Sequence, residues 1–341
     1  MRVAVVGATG AVGRRMVSIL EERSFPVDEL VLLASERSVG TRVSFRGEEH
    51  ALRLLSLEAL EGVDLALSSC GGSVARTWIP QAAEAGTFCV DNSSAFRMEP
   101  YAALTIPEVN PESLAGKPRI ACVPNCTIIT ALLAAAPLHR AAGLRSLFIS
   151  SYQSVAGAGQ RGIRELVAQI GELHGREEEL ERPDLSSLPV GEVIGKTIAY
   201  NVVAKIDLFD EESGYTFEEL KMQQEARKIL SLPDLEIATT AVRVPVIVGH
   251  AVSIHATFSR PISVGEAREV LAAAPSVELR DDPSNGIYPS PLEAAGLDIA
   301  LVGRIRQVPD RDDALLLFSC ADNLRKGAAL NAVQIAEHLF A

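Results

Sequence analysis

The sequence predicts an α/β protein: a Rossmann-type parallel-sheet nucleotide domain followed by an α+β domain with a mainly antiparallel sheet. Three observations carry that expectation. Residues 2–6 form a β-branched run that passes directly through Gly7-Ala-Thr-Gly10-Ala-Val-Gly13 into a helical stretch at 14–23, the strand–turn–helix context in which a glycine pattern signals a dinucleotide site. Strand and helix patterns then alternate across polar turns, as repeated βα units do. Beyond residue 236 several strand patterns follow without intervening helices. A length of 341 residues suits two domains.

The totals exclude several classes. Hydrophobic residues make up 48%, enough for a large core, and the net charge of −12 argues against a nucleic-acid surface. Five scattered cysteines, an odd number, form no disulfide framework and fit a reducing, cytoplasmic setting. The apolar run at the N-terminus is too short for a signal peptide, and no stretch approaches the ~18 uncharged apolar residues of a membrane span. No histidine or paired C-x-x-C accompanies Cys122 and Cys126, so no metal site is expected.

Each element has its own reason. Gly7, Gly10 and Gly13 permit a tight turn and close approach of a pyrophosphate to the helix N-terminus. Leu30–Ala34 is a second strand, ending in Ser35-Glu36-Arg37-Ser38. Arginine between serines at this strand end suits a 2′-phosphate and favours NADP, with Glu36 as a counter-signal. Val63–Ser69 and Thr87–Asp91 are further strands, ending at Cys70-Gly71-Gly72 and at Asn92-Ser-Ser-Ala-Phe-Arg97. Ligands collect at such strand ends, although Arg97 also reads as a surface salt bridge.

Arg119–Val123 is a short β-prone run before Pro124-Asn125-Cys126-Thr127, and Ile128–Ala136 reads as a buried helix. Unpaired N–H groups and the helix dipole favour a thiolate at that position, and the thiolate is the nucleophile. The remaining cysteines, Cys70, Cys89 and Cys320, read as buried fillers. Leu147–Val155 is a strand that carries Gln153 and runs into Ala156-Gly157, with a helix beyond to about Leu173. The acidic run 177–181 is a solvated face, and 183–189 is loop. Glu218 and Lys221 lie three apart on one helical face. Arg243 sits inside an apolar strand, where burial demands an anionic partner. His250 and His255 are five apart and fall on opposite faces of a strand, with His255 the structural one. Leu315–Ala321 is the last strand, and Asp322 is a candidate N-cap for the terminal helix.

With these motifs in order, the chain resembles the aspartate-β-semialdehyde dehydrogenase family over nearly its whole length. The resemblance rests on Gly7–Gly13, Ser35–Ser38, Asp91–Arg97, Pro124–Thr127, Ser151–Gly159, Arg243–His250 and Asp322–Ala328. It implies reductive dephosphorylation of 4-phospho-L-aspartate by NADPH through a cysteine thioester, a step toward lysine, threonine, methionine and diaminopimelate. Cys126 would be the nucleophile, His250 the acid/base and Gln153 the group orienting the substrate carbonyl. Arg243 would grip the α-carboxylate and Glu218 the amino group. Arg97, Lys221 and Asn125 would hold phosphate. Gly7, Thr9, Gly10, Ala11, Val12, Gly13, Ser35, Arg37, Ser38, Gly72, Ala156, Gly157 and Asn323 would contact NADP. The implied domains are 1–127, completed by the C-terminal helix 322–341, and a catalytic and dimerisation domain at 128–321, in a homodimer or homotetramer. The family commonly has serine at the positions of Ala156 and Ala251. A related reading is the reductase of N-acetyl-glutamyl phosphate. Against it stands the Glu218–Arg243 pair, which matches the two charges of a free amino acid. A non-catalytic nucleotide-binding scaffold would have no need of Cys126 and His250 together.

Overall fold

A computed structural model describes residues 1–341. The chain divides into two compact units, one of residues 1–136, 224–234 and 324–341, the other of 137–223 and 235–323. These limits differ from the sequence-based ones mainly in the segment 224–234, the second half of a helix, which returns to the first unit with no change of composition to announce it.

The first unit holds β1 (Arg2–Val6), α1 (Ala11–Glu22), β2 (Glu29–Ala34), a hairpin of β3 (Arg42–Phe45) and β4 (Glu48–Ala51), β5 (Arg53–Leu54), β6 (Leu65–Ser68), α2 (Gly72–Glu84), β7 (Phe88–Asp91), β8 (Ala103–Leu104), β9 (Ile120–Cys122) and the start of α3 (Cys126–Ala142). Seven strands form one sheet in the order β5-β2-β1-β6-β7-β9-β8, with every neighbouring pair parallel. Parallel sheets are covered on both faces and read as continuous apolar runs. Accordingly Val3, Ala4 and Val5 of β1 and Leu65, Ala66 and Leu67 of β6 are fully buried. The chain leaves β1 for β2 on one side and returns to β6 on the other. The sheet's switch point therefore lies between β1 and β6, where such folds bind nucleotides.

The second unit holds β10 (Leu144–Gln153), α4 (Gly159–Leu173), β11 (Glu236–Arg243), β12 (His250–Phe258), α6 (Val264–Ala272), β13 (Val277–Leu279), α7 (Pro291–Ala294), β14 (Ala300–Gln307) and β15 (Ala314–Ala321), with α5 (Phe217–Leu230) between α4 and β11. Its six-stranded sheet runs β11-β10-β12-β15-β14-β13. The four central strands are antiparallel, while β11 and β13 lie parallel to their neighbours. The expected mainly antiparallel sheet is borne out, with three antiparallel pairs at its centre and a parallel strand at each edge. His250 is fully buried, and His255, on the other face, stacks on Phe148 at 5.7 Å between ring centres.

Four local readings change. The first helix begins at Ala11 rather than at residue 14, so Gly13 lies inside it. Residues 185–187 make a single 3-10 turn within the expected loop. Cys70 is half-buried rather than a core filler. Asp322 caps no helix: a π-turn (Arg325–Ala329) precedes α8 (Leu330–Phe340) with Leu324 before it, and the Asp322 carboxylate accepts the Gly296 N–H at 2.7 Å. No helix is long and apolar enough to cross a membrane.

Candidate active site

In the first unit the parallel strands deliver their C-terminal ends to one edge. Gly7 leaves β1 with φ +84°, a conformation that disfavours any side chain. A Cβ on Gly13 would stand 2.2 Å from the Gly7 carbonyl oxygen, so only glycine lets the helix pack this close to the turn. Gly10 precedes α1 without any side-chain cap, which leaves the helix's first N–H groups for an anion. Thr9 Oγ1 and Ser38 Oγ approach to 3.4 Å, joining the glycine turn to the Ser35–Ser38 turn that follows β2. Arg37 is exposed there, and Gly72 opens α2 behind β6. These residues fit a dinucleotide: an uncapped helix end, a turn stripped of side chains and a free guanidinium at the ribose end.

The same unit presents Cys126 as the first residue of α3, half-buried. Asn125 is its N-cap. The Asn125 Oδ1 accepts the Thr127 N–H at 2.9 Å and the Ile128 N–H at 3.3 Å, a cap worth about 1 kcal/mol. The sequence-based picture of unpaired N–H groups is corrected here, since two of them are occupied. Any contact of the Asn125 side chain with an anion falls to its amide nitrogen. The three strand-borne cysteines are buried. Burial pushes the Cys89, Cys122 and Cys320 thiols up to about 12, with the Asp91 carboxylate adding to the effect on the first two.

Arg97 is buried, not a surface ion pair. Its Nη1 donates to Glu225 Oε1 at 2.8 Å and its Nη2 to the Asn92 carbonyl at 2.9 Å. The loop that carries it is held at its start by Asp91, whose carboxylate accepts both the N–H and the hydroxyl of Ser93.

In the second unit, register builds the site. Gln153 ends β10 opposite Arg243, which ends the parallel β11. His250 begins the antiparallel β12 opposite Ala321, which ends β15, two residues before Asn323. All four side chains therefore reach one edge of the sheet, and all are buried. Gln153 Nε2 donates to Glu218 Oε1 at 3.2 Å, and Arg243 Nη1 donates to the Ser154 carbonyl at 2.7 Å. A Cβ on Gly157 would sit 2.8 Å from Arg243 Nη1 and 3.4 Å from the His250 ring, so this glycine keeps open the space both residues face. Ala156 is buried beside it. Lys221 shares α5 with Glu218, but its ammonium pairs with Asp207 at 2.6 Å. A cavity of about 220 Å³ is lined by Arg243, Lys205 and Asp207.

His250 has a defined proton arrangement. The Ser154 N–H donates to Nδ1 at 3.1 Å, so Nδ1 is an acceptor and the proton sits on Nε2. Nε2 itself is buried with no partner. Burial, and then the Arg243 charge, hold the imidazole pKa down at about 3, so the ring is neutral. Asn323 Oδ1 accepts both the Ser154 hydroxyl (3.0 Å) and the Gly249 N–H (2.9 Å), fixing the backbone on either side of the histidine. That commitment of Oδ1 leaves its amide N–H groups as the donors for a ligand.

Sequence reasoning missed Ser154 and Glu225. Ser154 follows a strand end with no pattern of its own. Glu225 carried a signal: it lies seven residues, or two helical turns, after Glu218 and beside buried Met222 and Ala226.

Residues 2–117 match the family model "Semialdehyde dehydrogenase, NAD binding domain", and residues 135–326 match "Semialdehyde dehydrogenase, dimerisation domain". The chain is 44% identical over 341 residues to an aspartate-semialdehyde dehydrogenase of Bacillus subtilis, covering 99% of this chain and 97% of the relative. It is 45% identical over 342 residues to that of Aquifex aeolicus, with the same coverage. The crystal structure of aspartate semialdehyde dehydrogenase II from Vibrio cholerae, complexed with ASA, superposes with a TM-score of 0.91 at 40% identity, over 99% of this chain and 98% of that one.

Proposed function

The chain belongs to the aspartate-semialdehyde dehydrogenase family, and on that premise we propose that it makes L-aspartate 4-semialdehyde from 4-phospho-L-aspartate, with NADPH as reductant and a thioester on Cys126. The observation that carries this reading is the edge of the second unit's sheet. There a neutral His250 with an unpartnered Nε2 stands with Arg243 and the Gln153–Glu218 couple. These groups complement a free amino acid: a fork for its carboxylate, a carboxylate for its ammonium and donors for the acyl oxygen.

The chain's own residues divide the work. The Cys126 thiolate forms the S–C bond to the acyl carbon as the C–O bond to phosphate breaks. Phosphate departs with the bonding pair toward the cationic Arg97 and Lys221 and the Asn125 amide. Arg243 and Glu218 hold the amino-acid end, and Gln153 orients the carbonyl. Gly7, Thr9, Gly10, Ala11, Val12, Gly13, Ser35, Arg37, Ser38, Gly72, Ala156, Gly157 and Asn323 would hold the dinucleotide, which when bound supplies the hydride for the acyl carbon. His250 keeps its Nε2 proton against the oxygen that gains charge, a donor worth most in a water-poor site. Collapse breaks the C–S bond and returns the thiolate. The half-exposed face of β10 and β12 that carries Phe148, Tyr152 and His255 would meet a second copy in a homodimer, and the product would enter lysine, threonine, methionine and diaminopimelate synthesis in the cytoplasm.

The test is reduction of NADP by purified protein with aspartate semialdehyde, with and without phosphate. Phosphate-dependent reduction is expected. Turnover with N-acetyl-glutamate semialdehyde in its place overturns the substrate assignment. The Arg37→Ala variant should raise the KM for NADP roughly tenfold, the loss of one charged phosphate contact, and leave the KM for NAD unchanged. Equal changes for both cofactors would remove Arg37 from 2′-phosphate recognition.

A further inference from the structure

Glu225 is a buried carboxylate beside the candidate chemistry, and none of the proposed steps uses it. Its side chain is 1% exposed. Oε1 accepts Arg97 Nη1 at 2.8 Å, and Oε2 accepts the backbone N–H of Asn125 at 2.6 Å. One carboxylate thus joins the guanidinium assigned to phosphate with the residue that precedes and caps the nucleophile. One turn further along α5, the Lys228 ammonium donates to the carbonyl oxygens of Arg97 (2.7 Å) and Glu99 (2.9 Å). Residues 225 and 228 therefore grip the Arg97 loop by both its side chain and its backbone. All of these groups belong to one compact unit.

We infer that Glu225 is a positioning residue for phosphate, holding Arg97 and the Asn125–Cys126 turn in one fixed arrangement. The inference rests on the functional reading above and deepens it. Both partners of Glu225 are N–H donors, so both oxygens must accept. A glutamine offers one acceptor and one NH₂, and whichever contact meets the NH₂ is lost. The negative charge also balances Arg97 in a buried setting, where an unpaired charge is not tolerated. Substrate binding through Arg243 and Glu218 makes no use of this carboxylate and should not register its loss.

The experiment measures KM separately for phosphate, aspartate semialdehyde and NADP in the oxidative direction, for wild type, Glu225→Gln and Glu225→Asp. Glu225→Gln should raise the phosphate KM roughly tenfold or more, as expected for a lost charge-assisted contact, and lower kcat, with the other two KM values within about twofold. Glu225→Asp keeps the charge but is one methylene too short to span both partners, and should fall between. If E225Q does not fold, E225D alone decides by the same selective rise. An unchanged or lower phosphate KM overturns the inference, as does an equal rise for all three substrates, which marks a structural contribution only. Absence of phosphate-dependent turnover in the wild type would instead count against the functional reading itself.

Discussion

Cys126→Ala abolishes phosphate-dependent reduction of NADP, with a loss on the order of 10⁵-fold, the scale seen when a covalent nucleophile is removed. The size follows from the absence of a substitute. Cys122 ends the strand before the same turn, but burial and the Asp91 carboxylate push its thiol up to about 12. It is fully buried in β9. Cys89 is held the same way. Cys126 alone combines partial exposure with a place at the first residue of a capped helix. The variant should retain NADP affinity, because the glycine turn and the Ser35–Ser38 turn have no part in the thiol's environment. Initial rates together with intact-protein mass spectrometry decide the matter. Wild type should carry a covalent aspartyl adduct on the peptide containing Cys126, and the variant should carry none. A residual rate within about tenfold of wild type would show that the thioester route is wrong.

Much of this arrangement could be read from the chain before any coordinates. The parallel sheet was legible because buried parallel strands are uninterrupted apolar runs and each ends in a turn rich in glycine, serine or asparagine. Gly7, Gly10 and Gly13 announced the cradle for the same reason. Cys126 was legible from its place between a short strand and an apolar helix. What stayed hidden depends on groups far apart in sequence. The meeting of Gln153, Arg243 and His250 at one sheet edge is set by the parallel β10–β11 and antiparallel β10–β12 registers, which no local pattern specifies. The neutral state of His250 is due to complete burial beside Arg243. The odd spacing from His255 indicated two faces, and not which face was dry. Arg97 read equally as a ligand contact and as a surface salt bridge, because Glu225, its buried partner, lies 128 residues away. Asp322 resembled a helix cap, but the π-turn at 325–329 stands between it and α8, and its carboxylate accepts the Gly296 N–H instead.

His250→Ala lowers kcat by about 10²- to 10³-fold, the usual cost of removing one donor to a developing oxyanion. His250→Gln recovers part of that loss. The distinction follows from the ring's proton. Nδ1 accepts the Ser154 N–H, so Nε2 carries hydrogen and points at no protein group. A glutamine amide can also donate one N–H to the acyl oxygen, whereas it cannot accept and release a proton near neutral pH. Equal losses in the two variants would therefore show that proton transfer, and not hydrogen-bond donation, is the histidine's task. The pH profile gives an independent check. With the pKa held at about 3 by burial and Arg243, kcat/KM should show no limb from an imidazole near 6.5, because that parameter reports the free enzyme. A limb near 6.5 that disappears in His250→Gln would refute the neutral ring. The same shift fixes a stability effect. The unfolded imidazole protonates below about 6.5, and the folded one stays neutral until about 3, so the unfolded state binds the extra proton in that window. Stability is undiminished above 6.5 and falls as pH drops toward 3. Thermal unfolding between pH 7 and pH 5 should accordingly show a smaller acid-induced decrease in His250→Gln than in wild type, even though the variant is the poorer catalyst at every pH.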